Sequence, residues 1–226
     1  MPPYKVILFD FDGTLCATDE AILYTFRKTF EQEGVPAPTP EKIRQGIGTG
    51  GNLSTILPFL YPTLEEDTSG QTLAHWVKTY RKIYDTNGGK RTTLFNGVEM
   101  HLQNLKKKGK ICVVLSNKGQ QAIEDALKHF ELLHFFDLVI GDNPALPLEK
   151  KPHPMAFHKV IQPKYPTVKP AEFLMVGDTP PDLLFAQHAG IASCWAAYGY
   201  GDPDLCRRAS PTHTIQHLSE LASLLT

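Results

Sequence analysis

The chain is expected to be an α/β protein: a parallel sheet with helices on both faces, interrupted after its first strand by a helical insertion. Two observations carry this. Short apolar runs at Val6–Phe9, 111–115, 138–140, 173–176 and 191–196 recur with amphipathic stretches between them. None alternates cleanly between apolar and polar, as expected of strands covered on both faces. Strand and helix patterns in alternation favour a parallel sheet. Second, the stretch from Cys16 to about Lys90 holds helical patterning alone, with no run fit for a buried strand.

In chain order, Val6–Phe9 is the first strand. The insertion follows, with Ile22, Phe26 and Phe30 every four residues and Leu73, Val77 and Tyr80 at helical spacing. Pro36-Ala37-Pro38-Thr39-Pro40 separates its first two helices, and Asn87-Gly88-Gly89 reads as a flexible return to the sheet. Val98, Leu102 and Leu105 form the stripe of the next helix, and Ala122, Ile123, Ala126 and Leu127 that of another. Residues 212–215 and 216–225 add a last short strand and helix. The expected division is a core of residues 1–15 and 91–226 around an insert of residues 16–90.

Composition excludes several classes. The chain has 226 residues, 42% hydrophobic and 21% charged, with net charge −1. That permits a real core and argues against disorder, and interspersed signs suggest neither a nucleic-acid partner nor an anionic membrane. Lys106-Lys107-Lys108 with Lys110 closes a helix, where cations complement the dipole. No apolar stretch reaches membrane-span length, and a strand so near the N-terminus leaves no room for a signal peptide. Cys16, Cys112, Cys194 and Cys206 lie far apart with no C-x-x-C pair, and the nine histidines lack zinc spacing. A reducing, cytoplasmic setting is expected. With no sustained heptad and no exposed apolar strand, a monomer or weak homodimer is expected.

Chemistry gathers at the strand exits, where open parallel sheets bind ligands. Behind the first strand come Asp10-Phe11-Asp12-Gly13-Thr14-Leu15. Two acids crowded at a strand end repel, a cost that is tolerable if a cation neutralises them or one keeps a proton. Ser116-Asn117-Lys118 follows the second core strand, and Gly177-Asp178-Thr179-Pro180-Pro181-Asp182 follows the run at 173–176. Lys151-Pro152-His153-Pro154 occupies a loop before a helix. Singly, each has an ordinary reading: an acidic turn, a Ser116 helix cap, a solvated Lys151. Capping alone hardly accounts for their joint occurrence at one rim.

In this order and spacing the D-x-D-G-T-L, S-N, K-P-x-P and G-D-x-x-x-D elements resemble the four motifs of the haloacid-dehalogenase superfamily of hydrolases. The resemblance implies a Rossmann-like core with a helical cap inserted after the first motif, closing over the site to exclude water. It implies phosphate-ester hydrolysis in which Asp10 attacks phosphorus and forms an aspartyl-phosphate, while Asp12 serves as acid and then base. It implies Mg²⁺ held by Asp10, the Asp12 backbone carbonyl and Asp178. Lys151 would screen Asp10 and phosphate. Ser116, with the backbone of Phe11 and Asn117, would donate hydrogen bonds to the transferring group. Asp182 would hold a metal-bound water, or simply favour a helix N-terminus.

Departures narrow the branch. Asp12 favours phosphoryl chemistry over dehalogenation. Gln45 stands near the place of the Schiff-base lysine of phosphonoacetaldehyde hydrolases, with Lys42 close by, and Ile22 near that of the mutase histidine. Ile47-Gly48-Thr49-Gly50-Gly51-Asn52-Leu53 and Ala197-Tyr198-Gly199-Tyr200-Gly201 resemble the I-G-x-G-x-x-L and Y-G-Y stretches of phosphoglycolate phosphatase-like enzymes. Thr49, Asn52 and Arg44 are thus candidates for the non-phosphate end of the substrate, against an ordinary interhelical loop. The expected activity is a Mg²⁺-dependent phosphatase for small phosphorylated metabolites, led by 2-phosphoglycolate. The alternatives are a nucleotide or sugar-phosphate phosphatase and, in another class, a receiver-like or non-catalytic binding module.

Overall fold

Each apolar run becomes a strand of one parallel sheet in the computed structural model, which describes residues 4–224. The strands are β1 (Val6–Phe9), β2 (Cys16–Ala17), β3 (Thr93–Leu94), β4 (Ile111–Gly119), β5 (Leu138–Asp142), β6 (Phe173–Gly177), β7 (Ala192–Ala196) and β8 (His213–Ile215). The sheet has the order β5-β4-β1-β6-β7-β8, with β1 at its centre, in parallel register with β4 on one side and β6 on the other. This is the Rossmann-like α/β architecture expected from the sequence.

The unbroken apolar runs are explained by burial on both faces. Ile7 and Phe9 of β1 join Cys112, Val114, Leu174 and Val176 on one side. There they meet α5 (Val98–Lys107) through Leu102 and Leu105, and α6 (Gln120–His129) through Ile123 and Leu127. Val6 and Leu8 point the other way, with Val113, Leu115 and Met175, onto Phe157, Ile161 and the Phe185 and Ala186 face of α8 (Pro180–Ala189). A one-residue slip of β1 would exchange these two sets against different neighbours, so the register is pinned from both sides. Burial of each large side chain contributes about 1.5–3 kcal/mol.

Two compact units result: the residues before Thr18 together with those from Leu94 onward, and Thr18–Thr93. The second is helical: α1 (Asp19–Gln32), α2 (Pro40–Gly48), α3 (Leu53–Leu60) and α4 (Gln71–Asn87). The four-residue spacing of Ile22, Phe26 and Phe30 gives α1 its buried stripe. Phe30 meets Trp76 edge-on at 4.9 Å between ring centroids, Phe26 meets Tyr80 at 4.7 Å, and Tyr61 stacks on Trp76 at 5.4 Å. Thr39 caps α2, accepting from the Lys42 amide, with Pro40 in the first turn where its missing N–H costs nothing.

Three sequence expectations shift. Strand β4 runs on past Leu115 to Gly119, because after a register shift Gly119 pairs with Asp142 of β5. The expected return turn at Asn87-Gly88-Gly89 is helical up to Asn87, and a short turn of 3₁₀ helix, Gly89–Arg91, follows. The C-terminal helix is shorter than expected, a 3₁₀ turn Leu218–Glu220 leading into Leu221–Leu224; Leu225 lies outside the described residues. Among the described residues, no helix is long and apolar enough to cross a membrane.

Candidate functional site

Parallel register brings the chemistry-bearing residues to one sheet edge. Phe9 is level with Val114 on β4 and Val176 on β6, so the residues that follow each emerge together. Asp10 extends the ladder by one bond, its amide donating to the Val176 carbonyl at 2.9 Å. Asp10, Asp178 and Asp182 each direct a carboxylate oxygen into a group whose members lie within 4.8 Å of one another. All three are buried, Asp178 and Asp182 completely.

Lys151 is the counter-charge. Its Nζ lies 2.8 Å from Asp10 Oδ1 and 2.5 Å from Asp182 Oδ1, and donates to the Leu115 carbonyl at 2.9 Å. Burial works against the ammonium, but Asp10 and then Asp182 outweigh it and hold its pKa above the ordinary lysine range. The carboxylates remain in excess. Burial, then repulsion from Asp10 and Asp182, raises the Asp178 pKa well above its usual value, and burial and Asp10 raise that of Asp182. Buried acidic oxygens in excess of their one ammonium make a hard donor set suited to a divalent cation such as Mg²⁺.

The partners of these residues fix their aim. Asn117 locks Lys151 by a reciprocal pair: its Nδ2 donates to the Lys151 carbonyl at 3.0 Å and its Oδ1 accepts from the Lys151 amide at 2.8 Å. Asp182 has two tasks. Its Oδ1 meets Lys151, while its Oδ2 accepts from the Thr179 amide and hydroxyl at 3.0 and 2.8 Å, closing a capping box at the start of α8. Ser116 is buried within β4, just past Leu115 where the pairing with β5 shifts register, and its Oγ accepts from the Lys118 amide at 3.4 Å. Phe11 packs its ring into the core while its carbonyl accepts from the Leu15 and Cys16 amides, shaping the turn.

Asp178 is held from four directions. Oδ2 accepts from the Tyr200 amide at 2.7 Å and Oδ1 from Thr14 Oγ1 at 3.3 Å, while its carbonyl accepts from Trp195 Nε1 and Cys206 Sγ. The Tyr198 hydroxyl in turn donates to the Thr14 carbonyl at 2.9 Å. The turn at Gly13, with φ +73°, and the turn at Gly199 press on the same carboxylate. A Cβ on Gly13 would stand 2.1 Å from Asp178 Oδ2, and one on Gly199 would stand 2.3 Å from Asp178 Cβ. Only glycine fits either place.

Asp12 turns to Lys118, whose Nζ donates to its two oxygens at 3.0 and 3.1 Å. In the helical unit, Thr49 follows α2, donating to the Gly46 carbonyl at 2.7 Å, and Asn52 begins α3, accepting from the Ser54 amide at 2.8 Å. The glycine-rich stretch is thus the end of one helix and the cap of the next. Arg44 pairs with Asp19 at 2.9 Å. Sequence reasoning gave no role to Lys118 or Thr14. Their neighbours Asn117 and Gly13 were in hand, but the partners are remote in the chain.

The family model described as haloacid dehalogenase-like hydrolase matches residues 7–196, from β1 to the end of β7, and so spans every residue of the sheet-edge cluster. The chain belongs to the haloacid dehalogenase-like hydrolase family. It is 28% identical over 222 residues to a phosphoglycolate phosphatase of Vibrio parahaemolyticus, covering 98% of this chain and 96% of that protein. To a phosphoglycolate phosphatase of Aliivibrio fischeri it is 30% identical over 224 residues, again covering 98% and 96%. A haloacid dehalogenase-like hydrolase structure from Streptococcus pneumoniae superposes with TM-score 0.84 at 25% identity, with full coverage of both chains. Within this hydrolase family the fold is shared over the whole length, and the motif-bearing strand exits fall inside the matched span.

Proposed function

We propose that this family member is a Mg²⁺-dependent phosphatase that cleaves small phosphate monoesters through an aspartyl-phosphate on Asp10. The observation that carries the reading is the buried group of Asp10, Asp178 and Asp182 around the single ammonium of Lys151. Phosphoryl transfer is catalysed mainly by positioning and charge neutralisation, and this edge concentrates both. Asp10, the Asp12 carbonyl and Asp178 would hold the cation, which when bound offsets charge on the phosphate and on the carboxylates.

The chain's own groups do the rest. Asp10 is pinned by its backbone bond to β6 and oriented by Lys151, so that one carboxylate oxygen can face phosphorus in line. Lys151, fixed by Asn117, neutralises a phosphate oxygen, and the Ser116 hydroxyl with the Phe11 and Asn117 amides donates to the transferring group. Asp12 gives a proton to the leaving oxygen and later takes one from the water that hydrolyses the intermediate. Asp182 acts through Lys151 and the α8 cap.

The named relatives support 2-phosphoglycolate as the first substrate to try, and Thr49 and Asn52 are the proposed specificity residues. Phosphate release from an aryl phosphate should require Mg²⁺, stop with EDTA, and fall at least about 10³-fold in Asp10→Asn. Activity that ignored EDTA or survived Asp10→Asn would overturn the mechanism. On a panel of small phosphates, Thr49→Ala and Asn52→Ala should lose more on 2-phosphoglycolate than on the aryl ester. Equal losses everywhere would reject that assignment.

A further inference from the structure

Lys118 is left without a task by the scheme above, although it pairs with Asp12, and the geometry of the pair is specific. β4 and β1 are neighbours in register, so the fourth residue past Val114 and the third past Phe9 meet at one edge. Lys118 Nζ reaches both Asp12 oxygens, at 3.0 and 3.1 Å, and lies 5.8 Å from the centroid of the Phe11 ring. The side chains are 11% and 25% exposed. Exposed ion pairs are worth little because both partners move freely in water; this lysine is largely enclosed, and its backbone is held by the β4 strand and the Ser116 hydroxyl.

We infer that Lys118 is a positioning residue that aims the Asp12 carboxyl at the leaving oxygen. The inference rests on the reading of Asp12 as proton donor. An ammonium has three donors and no acceptor. It can hold an oxygen that carries no proton but cannot receive an O–H, so when Asp12 is the acid its contact with Lys118 narrows from two oxygens to one and the O–H turns away from the ammonium. As the bond from Asp10 to phosphorus forms, the bond from phosphorus to the ester oxygen breaks. Its electron pair stays with that oxygen, and the Asp12 proton passes to the same atom. A carboxyl free to rotate would present its proton in this direction only part of the time.

The test is leaving-group dependence. An alkyl alkoxide needs a proton to depart; 4-nitrophenolate does not. The parameter to compare is kcat/KM, which reports the first chemical step and leaves out hydrolysis of the intermediate. Lys118→Met should lower kcat/KM on a simple alkyl phosphate by about 10²-fold and on 4-nitrophenyl phosphate by at most about threefold. Lys118→Arg, which keeps the cation, should recover at least about tenfold of the alkyl loss. Lys118→Gln replaces Lys118→Met if the latter does not fold. Losses of equal size on the two esters, or no loss on either, would overturn the inference. Asp12→Asn is assayed alongside. Should it also lose both esters equally, it is the proton-donor reading of Asp12 that fails, and the inference with it.

Discussion

Lys151 shows how much can hang on one side chain at this edge. It is the ammonium that meets two buried carboxylates, at 2.8 and 2.5 Å, and its own backbone is clamped by Asn117. Taking one partner from a buried ion pair leaves a charge with no compensation, typically at a cost of about 3–5 kcal/mol. Lys151→Met should therefore lower unfolding free energy by about that amount at neutral pH, measured by urea denaturation in EDTA. The deficit should shrink on acidification, because the orphaned carboxylates can take up protons instead. A deficit independent of pH would show that packing of the lysine stem, rather than its charge, was lost. A second residue-scale consequence concerns Gly199. An added methyl must displace Asp178 Cβ or the Gly13 carbonyl, since both lie within 2.4 Å of its position. Gly199→Ala should weaken Mg²⁺ binding at least about tenfold by calorimetry, a factor worth about 1.4 kcal/mol. Unchanged affinity would mean the turn yields at no cost to the carboxylate.

At the scale of elements, the strand cores were legible and their ends were not. Continuous apolar runs mark doubly covered strands, and that local signal located five of the six sheet strands within a few residues; β8, with only Ile215 apolar, was placed by the end of the strand-helix alternation. Of the motif residues, Asp10, Asp12 and Asp178 stand within three residues past the ends of β1 and β6, whereas Ser116 lies inside β4 and Lys151 in the loop that follows β5. The extension of β4 to Gly119 depends on Asp142, and no local periodicity reports a partner that distant. Likewise Tyr198-Gly199-Tyr200 was read only through its resemblance to a Y-G-Y stretch, and its contacts go to Asp178 and Thr14, the latter 184 residues away. Asn117 was assigned through its backbone, while its side chain ties the end of β4 to the Lys151 loop by two bonds. Removing that amide leaves a part-buried backbone pair unsatisfied, at about 1–3 kcal/mol. Asn117→Ala should accordingly lower both stability and kcat, the second because Lys151 is no longer held against Asp10. If kcat is retained while stability falls, the clamp serves the fold alone.

Across the whole molecule, the proposed cation site sets stability against charge. Asp178 is buried with its pKa raised, so between the usual aspartate value of 3.8 and the raised one the folded protein keeps a proton that the unfolded chain has lost. The folded state binds more protons there, and stability without metal must fall as pH rises through that window; above it the full cost of burying the charge is present. The same holds in direction for Asp182. A cation that binds the deprotonated carboxylates acts oppositely, gaining affinity as the proton is lost. Thermal unfolding in EDTA and in Mg²⁺, from about pH 4.5 to about pH 8, should therefore diverge with rising pH. At about a hundred times its dissociation constant Mg²⁺ contributes about 2.7 kcal/mol, and progressively less as protons compete for the site. A Mg²⁺ gain of equal size at both ends of the range would place the cation elsewhere on the protein. An Asp178→Asn variant separates the two, because it removes one of the two titrating groups: its stability in EDTA should fall less with pH across the window, with Asp182 supplying what remains, and its Mg²⁺ gain should be small throughout.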